Sequence, residues 1–301
     1  MAATVRIGIC SFADEGLLKH WYPRGVSTPA ARLGYYGERF DTVEVDSPFY
    51  HLPDPAVTGR WAQRTPPEFV FHMKAHRTMT HHEDAEQEGA FGEFRTSLEP
   101  LELSGKLKGI LLQYHPSFKK SPEAKDELSQ VRPLLDPLVP LIEFRHRSWV
   151  TGAERDDTLE FLEREGLAVV SVDAPPTRAS NVLPTFAAAT HAVAYVRFHG
   201  RNVKTWNIKA EKSSERFNWM YSAEELAEWV ERMAQLSDEA DEVYAMPESR
   251  RAEASSRRHW RRHSSNASSP ESARCADSGR AKIPEDRCFA AFGAALPNRV
   301  G

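Results

Sequence analysis

Short apolar, β-branched runs recur along the chain, and each ends in polar or charged residues. The clearest are Leu141-Ile142-Glu143-Phe144-Arg145 and Ala194-Tyr195-Val196-Arg197-Phe198-His199. Thr42-Val43-Glu44-Val45-Asp46, Val70-Phe71-His72-Met73-Lys74, Ile110-Leu111-Leu112-Gln113 and Val169-Val170-Ser171-Val172-Asp173 follow the same plan. Charged groups on core strands are costly unless paired. Six strands ending this way predict one shared polar site. The full pattern predicts strands over 5–11, 42–45, 68–74, 108–114, 141–144, 168–172, 192–197 and 242–245. Helices are expected between them, over 29–40, 56–64, 85–103, 122–138, 156–165 and 223–236. Thr28 with Pro29 marks one helix start, and Ser222 with Glu225 forms a capping-box pattern at another. In 85–103, Phe91, Phe94, Leu98 and Leu101 recur at helical spacing.

Eight strands alternating with helices imply a parallel α/β sheet, and eight units over roughly 250 residues suit a TIM-type (β/α)8 barrel. An open doubly wound sheet is disfavoured, because Gly8-Ile9-Cys10-Ser11-Phe12 lacks the glycine fingerprint of a dinucleotide-binding turn. After Met246 the texture changes. Residues 247–301 are rich in Ser, Arg and Ala and carry 11 Lys and Arg against 6 Asp and Glu. Residues 1–246 carry 28 against 37. The expectation is a barrel domain over 1–246, incomplete at its last β/α unit, and a disordered basic tail over 247–301.

The acidic body argues against broad nonspecific attraction to nucleic acid, so such a partner is weakly supported. Cys10, Cys275 and Cys288 show no CxxC spacing, which points away from a zinc knuckle or a disulfide framework. No apolar run is long enough to span a membrane, and no basic-then-apolar leader is visible, so the expected location is the cytoplasm. The sequence does not specify an oligomeric state.

In a parallel barrel the active site lies at the C-terminal strand ends. The polar residues expected there are Glu44, Asp46, Lys74, Gln113, Glu143, Arg145, Asp173, Arg197 and His199. Residues i and i+2 share a strand face, so Glu44 with Asp46, Glu143 with Arg145 and Arg197 with His199 can turn inward together. One reading is structural, with pairs such as Glu143 with Arg197 capping the core. The other is functional: Lys74, Arg145 and Arg197 grip a small phosphate- or nucleotide-like anion. Gln113, Asp46, Tyr50 and Trp149 would help to bind it. Glu44, Glu143, Asp173 and His199 would then be the acid–base candidates. Metal ligation is less favoured, because no pair has HExxH-like spacing, and no metal or other cofactor is assigned.

The run Val43-Glu44-Val45-Asp46-Ser47-Pro48-Phe49-Tyr50, then Phe71-His72-Met73-Lys74-Ala75 and Gln113-Tyr114-His115-Pro116-Ser117-Phe118, resembles the YecE-like family named domain of unknown function 72. So do Glu143-Phe144-Arg145-His146-Arg147-Ser148-Trp149 and Tyr195-Val196-Arg197-Phe198-His199-Gly200-Arg201. The resemblance implies a TIM-type barrel and no particular reaction. Three positions depart from the family pattern. Cys10-Ser11-Phe12 stands where that pattern has a Gly-Trp pair, and Asp46 stands where it has Asn. Pro247-Glu248-Ser249 stands where it has a Phe-Asn-Asn segment, as a shift of reading frame would produce. Three functions stay open: a hydrolase or lyase acting on an anion, a non-catalytic binding module, and an inactive frame-shifted chain.

Overall fold

The computed structural model describes residues 3–81, 87–206 and 219–248. Eight parallel strands run β1 (Thr4–Ile7), β2 (Thr42–Val45), β3 (Val70–Lys74), β4 (Leu107–Gln113), β5 (Val139–Glu143), β6 (Ala168–Asp173), β7 (Val193–Phe198) and β8 (Glu242–Pro247). Their order is β1-β8-β7-β6-β5-β4-β3-β2. The segment after β1 closes the ring. Cys10 bridges Glu44 in parallel, Glu44 N–H donates to the Ile9 carbonyl, and Ser11 N–H donates to the Glu44 carbonyl at 2.7 Å. The result is the expected TIM-type barrel, nearly closed, with helices between strands.

The first strand is shorter than the apolar run that suggests it. At Gly8 a Cβ would lie 2.3 Å from the Thr42 carbonyl oxygen. The backbones of the two edge strands pass too closely there for any side chain. Beyond it, Ser11 takes φ 83°, a left-handed conformation that favours glycine.

Seven helices are described: α1 (Glu15–His20), α2 (Pro29–Gly37), α3 (Pro55–Arg64), α4 (Gln87–Leu103), α5 (Pro122–Leu135), α6 (Glu154–Arg164) and α7 (Ala223–Glu239). Three begin with a polar cap followed by proline: Thr28-Pro29, Asp54-Pro55 and Ser121-Pro122. Each cap side chain accepts a first-turn N–H, and proline occupies a position whose own N–H needs no partner. Ser222 and Glu225 make the expected capping box on α7. Residues 85–86 of the helix expected over 85–103, and residues 249–301 of the expected tail, lie outside the described residues.

Two elements differ from the sequence pattern. α1 is short and carried mainly by its Asp14 cap, so it has too few turns to show a period. Between β6 and β7 the connection contains no helix; Val182, Leu183, Phe186 and Ala187 bury it as an irregular segment.

Alternation along each strand makes two apolar layers. Outward residues such as Val43, Phe71, Ile110, Ile142 and Val196 meet the helices. On α7, Trp229, Met233 and Leu236 cover β7 and β8, and each fully buried aliphatic or aromatic side chain is worth about 2 kcal/mol. Inward residues such as Leu111, Leu141, Val170, Tyr195 and Tyr244 fill the barrel. Among them lies His72, whose ring meets Tyr195 and Tyr244 with centroids 4.9 and 4.3 Å away. Gly109 makes room for it: a Cβ there would come within 3.0 Å of the His72 ring. Neither His72 nitrogen has a partner among the described residues, and burial lowers its pKa to about 3. The layer directly beneath the strand ends therefore holds a neutral imidazole among apolar and aromatic side chains.

Candidate functional site

Above that layer, inward residues from six strands and the β1 extension form one network centred on a single guanidinium. Arg197 from β7 donates through Nη1 to Glu143 of β5 and through Nη2 to Glu44 of β2, both at 2.7 Å. Nη2 also lies 3.2 Å from Glu248, just after β8, and 3.6 Å from the Cys10 sulfur. The second oxygen of Glu44 accepts from the Tyr195 hydroxyl at 2.9 Å. Glu143 is the most heavily bonded carboxylate. One oxygen receives Gln113 Nε2 at 2.8 Å, Arg145 Nε at 2.7 Å and His199 Nε2 at 3.1 Å. The other ring nitrogen of His199 lies 2.7 Å from Glu248. Gln113 passes the network outward, accepting Lys74 Nζ at 3.0 Å.

Three carboxylates face three strong cations here, before His199 is counted. For Glu143, burial alone would raise the pKa, but Arg145, Arg197 and His199 outweigh it and hold it well below the usual carboxylate range. Glu248 behaves alike: burial opposes ionisation, and His199, Arg197 and Arg145 bring it down to about 2. Glu44 goes the other way. Burial, with the charge of Asp46, pushes it up to about 7 against Arg197, Lys74 and the Tyr195 hydroxyl. The Cys10 thiol is raised by burial and by Glu44, which suits a packed, inert group.

Most sequence-predicted residues converge as expected. Glu44, Lys74, Gln113, Glu143, Arg145, Arg197 and His199 form the network, and Asp46 stands one alternation above Glu44 with a buried oxygen lacking any partner among the described residues. Tyr50 is 56% exposed beside the Phe49 ring. Two residues are placed elsewhere. Asp173 aligns with Phe198 in the β6–β7 register, so it faces α7 rather than the barrel axis. There it accepts Arg201 in a two-pronged grip, the Tyr221 hydroxyl and Trp229 Nε1. Trp149 is fully buried, stacked on Phe144 at 4.3 Å and donating to the Phe118 carbonyl. It packs the wall instead of lining the mouth.

Glu248 and Tyr195 belong to the site and are missing from the sequence-based set. The signal for both was alternation: Glu248 follows Tyr244 and Met246 at intervals of two, and Tyr195 precedes Arg197 by two. Pro247 masked the first, because proline usually ends a ladder. Here it sits at the last paired position, level with Phe198, and Glu248 N–H donates to the Phe198 carbonyl. Among the described residues no three His, Cys, Asp or Glu are placed to hold a metal ion, and no helix is long and apolar enough to cross a membrane.

Residues 6–273 match the family model described as protein of unknown function DUF72. The chain belongs to the DUF72 family. Among curated relatives of this DUF72 chain, it is 28% identical to UPF0759 protein YunF of Bacillus subtilis over 251 residues, covering 80% of this chain and 87% of that protein. It is also 28% identical to UPF0759 protein YecE of Escherichia coli over 171 residues, 55% of this chain and 60% of YecE. A solved DUF72 family protein of Thermotoga maritima superposes with a TM-score of 0.71 at 31% identity, covering 81% of this chain and 92% of that one. One from Enterococcus faecalis gives 0.72 at 26%, covering 81% and 89%.

Proposed function

We propose that the barrel mouth binds a small phosphate-bearing anion through Lys74 and Arg145 and moves a proton with Glu44, in hydrolase or lyase chemistry. The observation that carries this reading is the division of the cations. Arg197 is buried with both terminal nitrogens held by carboxylates, whereas Lys74 and Arg145 are partly exposed at the mouth. Among the described residues Arg145 engages Glu143 through Nε alone, and its guanidinium carbon lies 5.7 Å from the Trp206 ring. Lys74 makes one hydrogen bond among the described residues and rests 4.5 Å over Phe49. Guanidinium and ammonium held in this way suit phosphate oxygens. Glu143, kept ionised by its cations, anchors them. Glu44 is the carboxylate whose proton is exchangeable near neutral pH, as a general acid or base requires.

The test uses inorganic phosphate with the full chain. Phosphate at a hundred times its dissociation constant should stabilise the folded protein by about 2.7 kcal/mol, read as a raised thermal midpoint. Lys74→Ala and Arg145→Ala should fold and lose that increment. If both variants are stabilised as much as the parent protein, the mouth is not the anion site. Turnover of a phosphate-ester panel that survives Glu44→Gln undiminished would remove the acid–base role and leave a binding module. A cytoplasmic setting fits the unpaired, buried Cys10 thiol.

A further inference from the structure

The ends of β3, β4 and β5 repeat one device. In His76-Arg77-Thr78, His115-Pro116-Ser117 and His146-Arg147-Ser148, an imidazole precedes a hydroxyl residue by two positions. Each time the backbone N–H of the hydroxyl residue donates to the histidine Nδ1, at 3.4, 3.2 and 3.2 Å. The hydroxyl oxygen lies 2.8, 2.8 and 2.9 Å from the same nitrogen. A nitrogen that accepts an N–H carries no proton, so the neutral ring keeps its proton on Nε2. None of the three Nε2 atoms has a hydrogen-bond partner among the described residues.

Two of the three share the face of the anion cations. His76 lies two residues beyond Lys74, and His115 two beyond Gln113, the residue that Lys74 bonds. Ala75 and Tyr114 extend the two ladders by one residue, donating to the Leu111 and Glu143 carbonyls, so the strand alternation carries on to both histidines. In the register that pairs Lys74 with Leu111, His76 is level with Gln113 and His115 stands two residues beyond it on the neighbouring strand. A line of rings joins the same groups. Phe49, under the Lys74 ammonium, has its centroid 5.2 Å from His81, and His81 is 5.2 Å from His115. His146 is out of phase. It follows Arg145, which turns inward to Glu143, and so falls on the other side.

We propose that His76 and His115 form a second phosphoryl position beside Lys74 and Arg145, so that the ligand is a small organic anion with two phosphoryl groups. This rests on the anion-binding reading above. Lys74 and Arg145 supply the positive charge for one group. The two neutral Nε2–H donors offer hydrogen bonds to a second without adding to the charge of an already crowded site.

Asparagine and glutamine substitutions separate this role from simple turn capping. Asn keeps an acceptor near Nδ1 and removes the Nε2 donor; Gln keeps a donor near Nε2 and gives up the cap. Inorganic pyrophosphate and orthophosphate would be titrated into the full chain by calorimetry. His76→Asn and His115→Asn should each weaken pyrophosphate about five-fold, roughly one hydrogen bond, and the double variant about twenty-fold. Orthophosphate affinity should stay unchanged, His146→Asn should bind pyrophosphate like the parent, and His115→Gln should retain most affinity. Unchanged pyrophosphate binding in the double variant, with loss in Arg145→Ala, overturns the second position while the anion site stands. An equal loss in His146→Asn also overturns it. Binding of neither anion to the parent protein overturns both readings.

Discussion

At the scale of residues, burial and charge pull the ring's carboxylates apart. Glu143 has four donors and stays ionised; Glu44 is as fully buried but has two. The consequence for stability has a definite sign. A carboxyl group whose folded pKa lies above its unfolded value stabilises fully below the unfolded value and loses that contribution as pH rises through the folded one. For Glu44 that window runs from 4.5 to about 7, and the loss across it is on the order of 3 kcal/mol. Glu248 has the opposite sense, contributing above 4.5 and losing it as pH falls toward 2. Comparing urea denaturation of the parent protein and Glu44→Gln across pH 4.5–7 isolates the first effect. The parent should lose stability relative to the variant as pH rises. A constant difference would mean that Arg197 outweighs burial and Glu44 is ionised throughout.

At the scale of elements, β6, β7 and α7 are fastened by one carboxylate. Asp173 is fully buried and takes donors from Arg201, Tyr221 and Trp229; the Tyr221 hydroxyl also accepts from Gly200 N–H. A saturated buried acid of this kind costs more to break than it gains when made. Asp173→Ala should lower stability by about 3–5 kcal/mol in chemical denaturation, with α7 losing amide protection first. Phosphate should still bind to the folded fraction. A variant that keeps full stability yet loses phosphate binding would instead return Asp173 to the site.

At the scale of the whole molecule, the ring depends on a closed seam. Glu44 belongs to β2 and Arg197 to β7, and β1 lies between the seam and β8 in the sheet. The close approach at Gly8 and the bonds from Ile9 and Ser11 bring Glu44 within reach of Arg197. Gly8→Ala sets a methyl group against the Thr42 backbone, which cannot rotate away as a side chain would. It should destabilise by about 3 kcal/mol and speed hydrogen exchange at the Ser11 and Glu44 amides. Unaltered exchange at both would show that the seam does not hold the barrel shut.

Much of this architecture is legible in the sequence because its causes are local. Strand alternation, polar–proline helix starts and the Ser222–Glu225 box act over two to four residues, and they mark the (β/α)8 order and all but two of the sequence-predicted site residues. Asp173 and Trp149 are the exceptions. Alternation tells which residues share a side of one strand; which side faces the axis depends on the partner strand's register, and that is a long-range property. Phe198 beside Asp173 decides the matter, and nothing near Asp173 in the chain announces it. Glu248 was hidden for the same reason: Pro247 looks like a strand's end until β7 is laid beside it. By itself the sequence determined the elements, their order and the polar character of the strand ends. Only the tertiary structure decided which of those charges share Arg197, because pairing energies act between groups up to 153 residues apart in the chain and take effect when the barrel closes.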